Sequence, residues 1–473
     1  MKIPSVVLYF GSRAVAAAGN LTSVAVFTHF IGPDEYGAYI LVFAWAIIVY
    51  GFTTQWMRFA YFGVYRDAQA APLIAAYARL ALGAVAVVGA AILAAAALAS
   101  QGMAFAAALV ALFAGMTIYE GATEISRTRF QVATVALGML LRAALVLSLG
   151  AATLSIRPSA TALAFAVAAG HLLAAVPSFV MLRGFARARP PRHAARQEAR
   201  GLFRYGWPLI FSFWVQSLSY STDKLIVGYF AGNAVLGPYG VVADLMRQSF
   251  MVAGESIALA LVTLAKHHAE EGRREMSDAT MRLAFRACVM AGAFGAVFFM
   301  IFGDALARVL LSEDFVQPAL EIIPWIAGAF FFMTIRMFYF SQVIFFIDAT
   351  FLDPIVNGVF LVMSVAVALM LVPQMGAVGG AIALAIAHAG ACLVAAFASR
   401  RYYALPVEKS ALFGIPALAG LALIASWGLS ARLDGAALWA TEAAVFTAAA
   451  LVAARRFDLF SLVAVGAGRQ KGA

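Results

Sequence analysis

Fourteen long apolar stretches set the terms for everything this chain can fold into. They run over 5–31, 37–59, 73–98, 103–123, 132–153, 160–182, 207–230, 237–263, 282–303, 321–346, 354–372, 376–399, 409–430 and 435–454. Each approaches the roughly 20 residues that a helix needs to cross a bilayer. None shows the short polar/apolar alternation of a membrane β-barrel. The chain is 64% hydrophobic and 12% charged, against about 45–50% and about 25% in soluble domains. A soluble enzyme, a disordered chain and a secreted disulfide scaffold are excluded on that ground. The expected fold is an all-α, polytopic membrane protein. Cys288 and Cys392 lie inside apolar runs and read as small hydrophobes rather than a disulfide. The first stretch contains Arg13 and Asn20 and has no small-residue cleavage site, so it reads as a span and not a leader.

Charge orients the spans. Of 33 Lys and Arg, 25 fall at the termini, on connections after even-numbered spans or on the span ends beside them, with the N-terminus placed inside; three, Arg157, Arg308 and Arg432, fall on the other side, and five lie deeper within spans. This asymmetry is a positive-inside signal that puts both termini in the cytoplasm. It also explains the net charge of +10 by anionic lipid rather than nucleic acid. The basic stretch from Arg183 to Arg204 is the longest connection, and no extramembrane segment is long enough to fold alone.

The chain repeats itself. FIGPDEYGAY at 30–39 and FAGNAVLGPY at 230–239 share Phe30/Phe230, Gly32/Gly232, Gly37/Gly237 and Tyr39/Tyr239 at an offset of 200. Two glycines five apart suit a tight helix–turn–helix in which at least one residue takes positive φ. Six spans separate the copies, so the repeat is parallel. The expected architecture is two pseudo-symmetric six-helix lobes around a central cavity, plus two extra C-terminal helices. In residues, the N-terminal lobe is 1–182, a basic cytoplasmic linker 183–206, the C-terminal lobe 207–399, and the last two spans with a basic tail 400–473.

These motifs carry a resemblance. FTHFIGPDEYGAY at 27–39, DKLIVGYFAGNAVLGPYGVV at 223–242, and Asn357, Pro373 and GAVGGAIALA at 376–385 resemble the polysaccharide-transporter branch of the multidrug/oligosaccharidyl-lipid/polysaccharide exporter superfamily. The early Arg-Asp pair of the peptidoglycan-precursor flippases is not evident in the first span, which favours the polysaccharide branch. The resemblance implies a flippase, not an enzyme, that carries polyprenyl-diphosphate-linked oligosaccharide units across a bacterial inner membrane for O-antigen or exopolysaccharide synthesis. Its implied partners are the lipid-linked sugar, membrane lipids, and the polymerase and chain-length machinery, with no cofactor, metal or nucleic acid.

Ionisable groups inside a membrane are costly and mark function. The in-span cations Arg13, Arg142, Lys224, Arg247 and Arg336 are therefore the candidate substrate-binding groups, since guanidinium grips phosphate oxygens bidentately. Ser212, Gln216 and Ser219 share one face of the seventh span with Asp223, spaced four, three and four. With Tyr220 and Asn20 they are the candidate polar cavity groups. Asp223, Asp244 and Glu255 are candidate ion-coupling acids, or else charge pairs with Lys224 and Arg247 that pin helices. Glu120 and Glu124 with Arg127, and Arg58 and Arg79, read as capping or snorkelling near the cytoplasmic face. His171 and His388 read as buried, hydrogen-bonded residues. A cation antiporter would need an acid-dominated cavity. A membrane glycosyltransferase would need an outer acidic pair, which Asp34–Glu35 offers, but on a connection of only about six residues that fits a helix start.

Overall fold

A computed structural model describes residues 3–100, 102–187, 190–347 and 351–461; the basic tail beyond Ser461 and Arg189 lie outside the described residues. The described elements are all helical. Within a bilayer that follows from the backbone itself, since a helix satisfies its own N–H and C=O groups where no water can.

The helices are α1 (Ile3–Thr28), α2 (Pro33–Val64), α3 (Asp67–Leu98), α4 (Met103–Thr128) and α5 (Val132–Ile156). The sixth, α6, is bent by 43° between Ala160–Ala174 and Val176–Phe185. Next come α7 (Arg192–Ala231), α8 (Asn233–Glu270), α9 (Arg274–Leu310) and α10 (Glu313–Phe345). The helical stretch Leu352–Tyr402 breaks at Gly376, whose φ of 55° and ψ of −129° are not helical. This gives α11 (352–375) and α12 (377–402), followed by α13 (Lys409–Ser430) and α14 (Gly435–Arg456). Ten of the described helices are long and apolar enough to cross a membrane, or eleven with α6. Counting α1, α7 and the division at Gly376 recovers the fourteen expected segments in order. The stretch expected as a linker is helical from Arg192 onward and continuous with the seventh span. Within α2 and α8, π-helical turns at Gly51–Gln55 and Ala258–Val262 mark equivalent second helices of the two repeats.

The chain forms two compact units. The first runs to Gly240 and takes in Leu310–Phe315; the second comprises Val241–Val309 and continues from Val316. In the first, α1 packs on α5, α5 and α4 pack on α6, and α2 and α3 pack on α7. Trp56, Tyr61, Leu73, Tyr77, Leu182 and Leu202 make one of its cores. Glu35 caps α6, its Oε2 accepting the Ala160 N–H at 2.6 Å. Glu35 of the acidic pair thus has a structural role.

The internal repeat is visible as a reciprocal contact in this unit. A Cβ on Gly37 would overlap the carbonyl oxygen of Asn233, and one on Gly237 would overlap the carbonyl oxygen of Pro33. Positions 33/233 and 37/237 are repeat equivalents, so each hairpin presents the other with the patch it receives, as across a two-fold axis. Gly240 meets the side chain of Ile40, its own equivalent, which places both on that axis. The glycines were expected to recur for turn geometry. Of the two turn residues, only Gly232 takes positive φ, at 84°; Gly32 is extended, with φ −72° and ψ 173°. Gly37 and Gly237 lie inside helices, where the reason for glycine is close backbone approach.

In the second unit, the linker before α13 is tied down by Arg286 of α9. Its guanidinium donates to both Glu408 oxygens at 2.6 and 2.8 Å and to the Phe457 carbonyl at 3.1 Å. The Tyr339 hydroxyl donates to the Pro406 carbonyl beside it. One side chain therefore holds the start of α13 and the end of α14 together. Charge-assisted bidentate bonds of this kind contribute about 1.5–3 kcal/mol. Arg286→Ala should raise protease cleavage at 403–408 and lower the unfolding midpoint in detergent, and Glu408→Ala should add little to it. Full additivity of the two would show that they do not act as a pair.

Candidate functional site

The candidate cations of the first unit sit on α1, α5 and α7. Gly19 of α1 lies so close to α5 that a Cβ there would stand 2.9 Å from the Ala143 Cβ, and the Ser12 hydroxyl contacts the Met139 sulfur at 4.0 Å. These two contacts bring Arg13 and Arg142 to neighbouring levels of adjacent helices. Arg13 is exposed and Asn20 half-buried. The Arg142 guanidinium lies over the Tyr119 ring at 5.5 Å, and its Nε is buried with no hydrogen-bond partner among the described residues. Tyr119 in turn meets the His171 ring edge-on at 5.7 Å. The His171 Nδ1 is 2.8 Å from the Val167 carbonyl, as expected of a hydrogen-bonded core histidine.

On α7 the expected polar face is half-buried at Ser212, Gln216, Ser219 and Tyr220, and buried at Asp223 and Lys224. The Ser219 hydroxyl donates to the Val215 carbonyl at 2.8 Å within its own helix. The Tyr239 hydroxyl donates to Asp223 Oδ2 at 3.0 Å, closing the α7–α8 hairpin. Tyr239 belongs to the repeated motif, so the recurring tyrosine has a definite partner here.

In the second unit Arg247 and Asp244, one helical turn apart on α8, approach to 3.6 Å as an ion pair. Arg247 also lies 5.8 Å from the Phe330 ring centroid. The buried Arg336 of α10 donates to Asn357 Oδ1 at 2.9 Å and lies 5.2 Å from the Phe360 ring. Asn357 passes the contact on, donating to Asp353 at 3.0 Å. His388 stands between the two rings, 6.1 Å from Phe330 and 4.3 Å from Phe360. Its buried Nδ1 has no hydrogen-bond partner among the described residues, so the expected hydrogen-bonded role is corrected to one of ring packing. Arg247 and Arg336 are thereby gathered around one aromatic cluster. Glu255 is half-buried farther along α8.

Arg58, Glu120 and Glu124 do not behave as snorkelling groups. Arg58 of α2 pairs with Glu120 at 2.8 Å and Glu124 at 3.5 Å on α4, and Glu124 is only 2% exposed. It also donates to the Tyr50 hydroxyl at 3.0 Å. Arg127 completes the cluster, 2.8 Å from Glu124. The Glu120/Glu124 spacing of four was the one local sign that these acids share a face. Nothing local pointed to Arg58 as their partner.

The family now follows. The model described as polysaccharide biosynthesis protein matches residues 26–317. The chain belongs to the polysaccharide biosynthesis protein family. The chain also shares its fold with solved structures. One is the lipid II flippase MurJ in an inward closed conformation, at 12% identity and a TM-score of 0.74, covering 96% of this chain and 99% of that one. Another is an inward-facing multidrug resistance MATE family transporter of the MOP superfamily, at 16% identity and a TM-score of 0.62, covering 82% and 94%. A third is a MOP superfamily transporter from Pyrococcus furiosus, at 16% identity and 0.56, covering 84% and 94%. No curated protein matches the sequence. The chain is thus a multi-pass membrane protein with a fold like that of MurJ and the MATE transporters.

Proposed function

We propose that this protein is a flippase that moves polyprenyl-diphosphate-linked oligosaccharide units from the cytoplasmic to the periplasmic leaflet of the bacterial inner membrane, by alternating access of two lobes, for surface or exopolysaccharide synthesis. The observation that carries the reading is how the in-span cations are held. Arg142, Arg247 and Arg336 each rest on an aromatic ring. A ring engages the flat face of a guanidinium, while the donors that grip phosphate lie in its plane. A diphosphate headgroup carries about two negative charges, and in a low-dielectric site the attraction is strong. An inside-negative potential of 100 mV favours outward movement of such a headgroup by about 4–5 kcal/mol, at about 2.3 kcal/mol per charge. The polar groups Asn20, Ser212, Gln216, Ser219 and Tyr220 would meet the sugar hydroxyls, and Asp223, Asp244 and Glu255 would couple an ion.

Single Ala substitutions of Arg13, Arg142, Lys224, Arg247 and Arg336 test this in proteoliposomes loaded with lipid-linked oligosaccharide. Loss of one charged phosphate contact, about 1.5–3 kcal/mol, should slow flipping about 10- to 100-fold, with membrane insertion kept. Unchanged flipping by all five variants refutes the assignment. Efflux of an organic cation by the unaltered protein, with no flipping, would establish an antiporter instead.

A further inference from the structure

One face of α7 is exposed along its length and carries arginines and aromatic rings. Arg192, Arg196, Arg200 and Arg204 recur every four residues and are all exposed. None of the four has a partner among the described residues. The same face continues, at steps of three and four, as Phe203, Trp207, Phe211 and Trp214, exposed by 56, 59, 61 and 39%. The rings of Phe211 and Trp214 stand 6.4 Å apart. Phe52 of α2, itself half exposed, widens the strip at 5.7 Å from Trp214. The opposite side of this part of α7 is anchored in the protein through Ala195, Leu202 and Gly206, which are buried. The exposed face is therefore not an unfinished core but a surface cationic at one end and aromatic at the other.

Its dimensions fit a lipid. From Trp207 to Trp214 the helix rises about 10 Å, within the depth of one leaflet's hydrocarbon, about 15 Å. Arg204 and Arg200 stand one and two turns above Trp207, at the level of phosphates if the aromatic strip lies along acyl chains. Trp and Tyr at such a boundary are interfacial anchors, and Tyr205 is exposed there too. Four unneutralised guanidinium groups complement phosphate oxygens bidentately.

We propose that this face is a binding track for an anionic phospholipid of the leaflet facing the basic end, its phosphate held by Arg200 and Arg204 and an acyl chain laid along Trp207, Phe211 and Trp214. The site is independent of which substrate the protein flips. It stabilises the long helix that begins outside the membrane at Arg192 and ends within the repeated hairpin.

Tryptophan fluorescence reads the track directly. The protein is placed in nanodiscs containing brominated phosphatidylglycerol or brominated phosphatidylcholine at matched bromine density. The anionic lipid should reach half-maximal quenching at about ten-fold lower mole fraction. R200Q/R204Q should abolish that preference, R200K/R204K should keep it, and W207F/W214F should remove the excess quenching itself. Equal quenching by the two lipids, or a preference that survives in R200Q/R204Q, overturns the proposal. Reversal of the quenching by a prenyl diphosphate at equal mole fraction would also overturn it, by assigning the track to the substrate. The lysine variant guards against misfolding, because it must bind normally if the glutamine variant fails for want of charge.

Discussion

Gly37→Ala and Gly237→Ala should each destabilise the first unit by about 1–3 kcal/mol, the usual cost of forcing atoms into a filled contact. The added methyl group would collide with a backbone carbonyl, of Asn233 in one case and Pro33 in the other. A carbonyl cannot rotate out of the way as a side chain tip does, so two helices must separate. The double variant should cost less than the sum of the singles. Once either methyl has spread the hairpins, the second finds room, because the two contacts are the same joint seen from its two halves. Gly420→Ala is the matched control. Nothing lies within 4 Å of a Cβ there, and alanine is the better helix former by about 1 kcal/mol. Unfolding midpoints in detergent decide the matter: strict additivity, or no loss in either single variant, would show that the reciprocal joint is not a packing constraint.

Arg58→Met should be the more damaging single change, at about 3–5 kcal/mol, because it strands Glu120 and Glu124 together without the cation they share. Glu124 is 2% exposed and Arg58 is 21% exposed. Arg127 is 47% exposed and adds little, being well solvated. Glu124→Gln should cost less, about 1–3 kcal/mol, because Arg58 keeps Glu120 at 2.8 Å. The double variant Arg58→Met, Glu124→Gln should recover at least about 1 kcal/mol relative to the sum, as a removed pair costs less than a broken one. A thermal-unfolding double-mutant cycle with no coupling would show that the three groups are solvated independently. The cluster ties α2 to α4, the two helices that also meet through the Thr54 and Thr117 hydroxyls at 3.0 Å. Loss of the cluster should therefore loosen this part of the first unit before the rest.

The difference between what could be read and what could not has a simple form. The pair Asp244–Arg247 was legible, because a spacing of three on a helix places two side chains together whatever the rest of the chain does. The polar face of α7 was legible for the same reason. Its burial was not, and the exposed face proved to be the other one, carrying arginines and aromatic rings. The duplication of Gly37 in Gly237 was equally plain in the sequence, yet its purpose was misread. Turn geometry is local and can be read from the chain itself; contact between two hairpins 200 residues apart is not local. Arg58 was assigned to the lipid–water boundary because only its distance from a helix end was visible. Its acids lie more than 60 residues farther along the chain on α4.

The sequence by itself determined that this protein crosses a membrane as a series of apolar helices, that its first hairpin recurs in the second half, and which family it resembles. Those conclusions follow from free energies that act residue by residue: the cost of an unpaired peptide group in hydrocarbon, the period of a helix, and the cost of a charge away from water. Only the tertiary structure decided which charges meet acids, which rest on rings, and which glycines touch a carbonyl. Two helices that share a unit can be placed at any relative depth and rotation without altering either one's own pattern. That choice is made by the packing of all of them together.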